Sequence, residues 1–83
     1  MIGKFVTSKA GHDKGQIYIV LSQDEQYVYL TDGVIKTVQA PKRKNKKHVQ
    51  PINRMYDVNE TVTNEGIKRA IKLYRRSICQ KLM

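Results

Sequence analysis

Residues 1–52 are cut into β-branched and aromatic runs only four to seven residues long, each stopped by glycine, aspartate or proline, and that punctuation constrains the fold more than anything else in the chain. Runs so short exclude an ordinary helix, whereas side chains branched at Cβ suit the pleated surface of a strand. Strands are predicted over residues 3–8, 16–22, 26–31 and 34–38, with 49–52 returning as a short fifth. Period two puts Ile17, Ile19 and Leu21 on one face of the second strand and Val28 and Leu30 on one face of the third, so these are core candidates together with Phe5. Asp32-Gly33, between two apolar runs, reads as the type I′ turn of a hairpin, which needs positive φ at both central residues. Pro51 has no amide proton to give and would confine the last strand to a sheet edge.

Five short strands with tight turns predict a mainly β fold, a small SH3-like antiparallel barrel followed by a C-terminal α-helix, although other small barrels meet the same spacing. The helix follows from a change of period: Ile67, Ala70, Ile71, Tyr74 and Ile78 recur on one stripe at about 100° per residue, with Thr63 or Asn64 as the N-cap and an end near Leu82. Lys68, Arg69, Lys72, Arg75 and Arg76 fall on the other side. Residues 1–52 are expected to form the barrel. Residues 53–83 would supply a connector and a basic amphipathic helix packed on it, one domain overall, because 83 residues leave no room for a second core.

The net charge of +9 is placed unevenly. Residues 1–40 carry Lys4, Lys9, Lys14 and Lys36 against Asp13, Asp24, Glu25 and Asp32, and are neutral. Residues 41–83 carry twelve cations against Asp57, Glu60 and Glu65, so the whole excess lies there. That asymmetry points to a polyanionic partner.

The segment Gly3-Lys4-Phe5-Val6-Thr7-Ser8-Lys9-Ala10-Gly11-His12-Asp13-Lys14-Gly15 with the run that follows it resembles a KOW motif, in which a glycine-bracketed loop joins two strands. Asp32-Gly33 followed by Pro41-Lys42-Arg43-Lys44-Asn45-Lys46-Lys47-His48-Val49-Gln50-Pro51 is similar to the second half of one KOW branch. That branch comprises the archaeal and eukaryotic large-subunit ribosomal proteins of the L-fourteen-e kind and their short bacterial relatives. The resemblance covers about residues 3–52. It implies an SH3-like barrel that binds ribosomal or other structured RNA through its loops, with ribosomal proteins as neighbours, in the cytoplasm. Many KOW motifs carry a further glycine three positions after the Lys-Gly pair; this chain has Tyr18 there.

The basic residues support an RNA partner independently. Lys42, Arg43, Lys44, Lys46 and Lys47 can neutralise phosphates and release counterions, and Asn45 and His48 can bond bases or the 2′-hydroxyl. A bare charge run is more often a solvated face, but this one lies inside a strand-to-strand connection, where binding residues concentrate. None of the five cations belongs to an apolar stripe, so their removal is expected to leave the barrel folded. Lys9, His12 and Lys14 of the first loop, with Lys36, are further candidates beside the plain role of a turn. Arg69, Lys72, Arg75 and Arg76 would add contacts if the apolar stripe of the helix docks on the barrel. Tyr27 and Tyr29 share the face opposite Val28 and Leu30, where they either stack on unpaired bases or cap the core. The alternative function is a protein-interaction module of the SH3-like type without nucleic acid.

Catalysis is not expected. His12 and His48 are the only histidines, and no glycine-rich loop ends in Lys-Ser or Lys-Thr, so no catalytic residue, metal or cofactor is assigned. The single Cys79 excludes an internal disulfide and a thiolate zinc cluster, as suits a reducing cytosol. No run approaches the roughly 18 apolar residues of a membrane span.

Overall fold

The computed structural model describes residues 1–56 and 62–82, the last five of these by their backbone alone. Five strands precede one helix: β1 (Lys4–Ser8), β2 (Ile17–Gln23), β3 (Tyr27–Thr31), β4 (Lys42–Asn45), β5 (Val49–Met55) and α1 (Asn64–Leu82). A single 3₁₀ turn, Lys46–His48, joins β4 to β5. The pairings are antiparallel and the order across the sheet is β4-β3-β2-β1-β5.

That order forces curvature. The two edge strands are consecutive in the chain, yet in a flat sheet four inter-strand spacings would hold them about 19 Å apart. Three residues of 3₁₀ helix advance only about 6 Å. The sheet must therefore curl until its edges approach each other at this end, as in a small SH3-like barrel. Hydrogen bonds from Lys46 N to Gln26 O (2.9 Å) and from Lys9 N to His48 O (2.7 Å) tie the 3₁₀ turn to both halves of the curl.

The core has two layers. Val6, Tyr18, Val20, Val28, Leu30 and Val49 fill the inside of the curl. On the outer face of β1 and β2, Phe5, Ile17 and Ile19 meet Ile67 and Ile71 of α1. β2 is thereby buried on both faces, which is why Ile17-Tyr18-Ile19-Val20 reads as an unbroken apolar run instead of an alternation. Each such side chain contributes roughly 1.5–3 kcal/mol on burial. Tyr74 adds an edge-on contact to Phe5, their ring centroids 5.6 Å apart. Ile67, Ala70, Ile71 and Tyr74 thus form the docking stripe that their spacing predicts. The Ile78 and Cys79 side chains and residues 57–61 of the connector lie outside the described residues.

Three expectations are corrected. Residues 34–38 form no strand, and Asp32-Gly33 is not a type I′ turn, because Gly33 has φ 77° whereas no described non-glycine residue has positive φ. The reason is local hydrogen bonding. Asp32 Oδ1 accepts from the amides of Val34 and Lys36, each at 2.9 Å, and the Thr31 hydroxyl donates to Lys36 O at 2.6 Å, so the backbone closes into a compact loop. The fourth strand is instead the basic run Lys42–Asn45, which the sequence reading assigns to a loop. Pro51 does lie on an edge strand.

Thr63 and Asn64 divide the work at the start of α1. Thr63 Oγ1 accepts from Gly66 N at 3.0 Å and is the N-cap. The Asn64 side chain accepts from Val38 N at 2.8 Å and donates to Gln39 Oε1 at 2.9 Å, fastening the helix to the segment before β4. Thr63→Ala should lower stability by about 1 kcal/mol in urea unfolding, while Thr63→Ser should stay within a few tenths of wild type.

Candidate nucleic-acid interface

Because the basic run is a strand, its side chains alternate between two faces. Lys42 and Lys44 stand opposite Leu30 and Val28, whose side chains fill the curl, and so point the same way. Both reach Asp13: Lys44 Nζ lies 2.7 Å from Oδ1 and Lys42 Nζ 2.8 Å from Oδ2. Lys44 also donates to Ala10 O at 2.9 Å, and only 10% of its side chain is exposed. The Ser8 hydroxyl (2.9 Å) and the Tyr18 hydroxyl (3.1 Å) complete the shell of the carboxylate. Burial alone pushes the Asp13 carboxyl up, but the hydrogen bonds from Lys42, Lys44, Ser8 and Tyr18 outweigh it and hold the group well below the usual carboxylate range. Burial, then the bond to Asp13, pushes the Tyr18 phenol up to about 12. Tyr18, where many KOW motifs carry glycine, is thus a core side chain with an anchored hydroxyl. Lys44 is a structural cation, and these contacts argue against removing all five cations without harm to the barrel.

Arg43 and Asn45 point outward. The Arg43 guanidinium carbon lies 4.8 Å from the centroid of the Tyr27 ring, and Tyr27 and Tyr29 are half-buried on the same outer face. Tyr29 donates to Asp24 Oδ2 at 3.2 Å, which raises its phenol pKa. Asp24 is held low chiefly by the amides of Tyr27 and Gln26. At the end of the strand Asn45 Oδ1 accepts from Lys47 N at 2.9 Å, and Asn45, Lys46 and Lys47 line a hollow with Glu25 and Gln26. Lys47 and His48 are exposed and Lys46 is half-buried.

The remaining candidates gather on a second surface. His12, Lys36 and Lys42 line a hollow of about 310 Å³ with Asp13, Gln16, Tyr18, Asp32 and Ile35. Gln16 and Asp32 are shared with a groove of about 550 Å³ whose other walls are Ile17, Val34 and Ile71 and the cations Lys68, Lys72, Arg75 and Arg76. The first loop, the loop after β3 and α1 therefore make one continuous band. Arg75 donates to Gln16 Oε1 at 3.4 Å across it. Arg69 lines an adjoining hollow with Glu65, Gly66, Lys68 and Lys72. Lys9 and Lys14 are exposed on the first loop and line none of these hollows. Asp13 is the residue that the sequence leaves unremarked: its partner Lys44 is 31 residues away, with no local spacing to betray the pair.

These features describe a small basic barrel with a helix docked on its side, two faces of positive charge and an apolar-floored groove along the helix. The chain is similar to the large ribosomal subunit protein eL14 of Staphylothermus marinus, with 28% identity over 71 residues that cover 84% of this chain and 74% of that protein. The resemblance carried by residues 3–52 thus extends over most of the chain. No protein-family model matches it.

Proposed function

We propose that this chain is an RNA-binding protein of the ribosome or its vicinity, with ribosomal RNA and neighbouring ribosomal proteins as its partners and no reaction of its own. The carrying observation is the band in which four exposed helix cations flank a groove continuous with the first loop and Lys36. Phosphates crossing that band would be neutralised without disturbing the core, and the fixed curvature of barrel and helix would select RNA by shape. Arg43, Lys46, Lys47 and His48 supply a second set of contacts, while His12 belongs to the band and Lys9 and Lys14 stand exposed on the same first loop. The likeness to a protein named as part of the large ribosomal subunit agrees with this charge pattern. The proposed location is the cytoplasm; no described helix is long and apolar enough to cross a membrane.

The test is the salt dependence of binding to a structured ribosomal RNA fragment. Replacing Lys68, Lys72, Arg75 and Arg76 by alanine should flatten the slope of log K against log salt by about 3 units, and replacing Lys46 and Lys47 by about 1.5 units, at roughly 0.7–0.9 counterion per contact. Circular dichroism should show both variants folded, since Lys44 is retained. Unchanged slopes in both folded variants would exclude both surfaces. Partner binding that persists in high salt with no affinity for RNA would favour the peptide-binding alternative.

A further inference from the structure

The outer face of β3 and β4 holds an arrangement that phosphate binding does not call for. Arg43 stands opposite Tyr29 in the strand pairing, yet its guanidinium reaches diagonally to lie over the Tyr27 ring at 4.8 Å. Tyr29 beside it is anchored through its hydroxyl to Asp24, and Asp24 in turn accepts from the amides of Gln26 and Tyr27 at 3.0 and 2.8 Å. A guanidinium aimed at phosphate alone gains nothing from a ring beneath it; the exposed guanidinium plane of Arg43, which lies over a ring, is restrained by it. Planar, delocalised and weakly hydrated, that plane is a surface on which a nucleobase stacks. Lys46 and Lys47 follow in the 3₁₀ turn after β4, lining a hollow with Gln26, the residue before Tyr27.

We infer that Tyr27 and Arg43 form a preassembled platform for one unpaired RNA base, with Arg43 acting as a stacking residue and not as a phosphate contact. This rests on the RNA-binding reading and goes beyond it: the face takes a nucleotide outside a helix, while the groove along α1 needs only backbone charge. Arg43→Lys separates the two roles, because it keeps the charge and the long stem but loses the plane.

The probes are an RNA hairpin with 2-aminopurine in its unpaired loop and a fully paired duplex of the same stem. Wild-type protein should quench the loop fluorophore and prefer the hairpin. Arg43→Lys should weaken hairpin binding about tenfold and abolish the quenching, with the salt slope and duplex affinity unchanged, as expected for loss of one stacked base. Tyr27→Leu, which removes the ring beneath, should reproduce the loss in part, with circular dichroism confirming the fold. Full hairpin affinity and quenching in Arg43→Lys would overturn the platform and leave RNA binding standing. Failure of the wild-type protein to bind either RNA would overturn both.

Discussion

Asp13→Ala should lower stability by about 3 kcal/mol, a larger loss than removal of any single exposed cation. Asp13 receives two ammonium groups and two hydroxyls, and its own side chain is 11% exposed. Without it Lys44 stays buried with only the Ala10 carbonyl as a partner. Breaking a buried pair from one side costs about 3–5 kcal/mol, because the surviving charge has lost its solvent and gained nothing. In a domain of this size that is a fall of about 15 °C in Tm. Lys42→Ala should be much milder, at about 1 kcal/mol or less, because Lys42 is 31% exposed and leaves the Lys44 pair intact. A melting temperature within a few degrees of wild type for Asp13→Ala would show that the cluster does not hold the first loop to β4.

The same cluster sets a pH dependence whose sign can be worked out. The folded carboxyl titrates below its ordinary value of 3.8, so its contribution is complete above about pH 5 and is lost as pH falls through 3.8 toward the folded value. Tyr18 works at the other end: raised from 10 to about 12, it stabilises below pH 10, and that contribution is lost between about pH 10 and 12. In Asp13→Ala the acid limb should flatten.

Gly33→Ala should be the second severe change, at about 3 kcal/mol. Gly33 has φ 77°, where a Cβ is strained by about 1–2 kcal/mol. It also lies against the first turn of α1, so that an added Cβ would collide with the Asn64 carbonyl oxygen and approach Lys68 N to 2.9 Å. Both are backbone atoms and cannot swing aside. The loop and the helix must separate, and Ile67 and Ile71 lose their cover. Gly15→Ala is the control, with φ 87° and no atom within 4 Å of the added Cβ, so it measures strain alone. Denaturant unfolding should place Gly33→Ala about 1.5–2 kcal/mol below Gly15→Ala, and amide exchange should quicken along α1. Equal losses would remove the helix contact from the explanation.

The parts legible from sequence were those set by short-range rules. The runs that became β1, β2, β3 and β5, and the stripe Ile67, Ala70, Ile71, Tyr74, follow from period and propensity, and the docking of that stripe on the barrel follows from its need for cover. Asp32-Gly33 misled because an aspartate can satisfy the amides that follow it as readily as it can enter a hairpin turn. β4 misled more deeply. Lys42-Arg43-Lys44-Asn45 has no strand propensity worth the name and is held extended by its pairing with β3 and by an aspartate from a remote loop. A pattern of like charges cannot reveal which of them turn inward. For the same reason the arrangement of the candidate surface was not legible, with Lys44 tied into the fold and Gln16, Asp32 and Val34 lining the groove beside the helix cations.

The strand order leaves two edges, and an uncovered edge is a template on which a second copy of the chain could add a strand. β4 is only four residues long and carries three cations, two of which are turned inward. β5 bears Pro51, which interrupts the row of donors. A newcomer strand would meet like charge on one side and a missing hydrogen bond on the other. The charge on one edge and the proline on the other thus keep copies of the chain apart, so it should resist self-association.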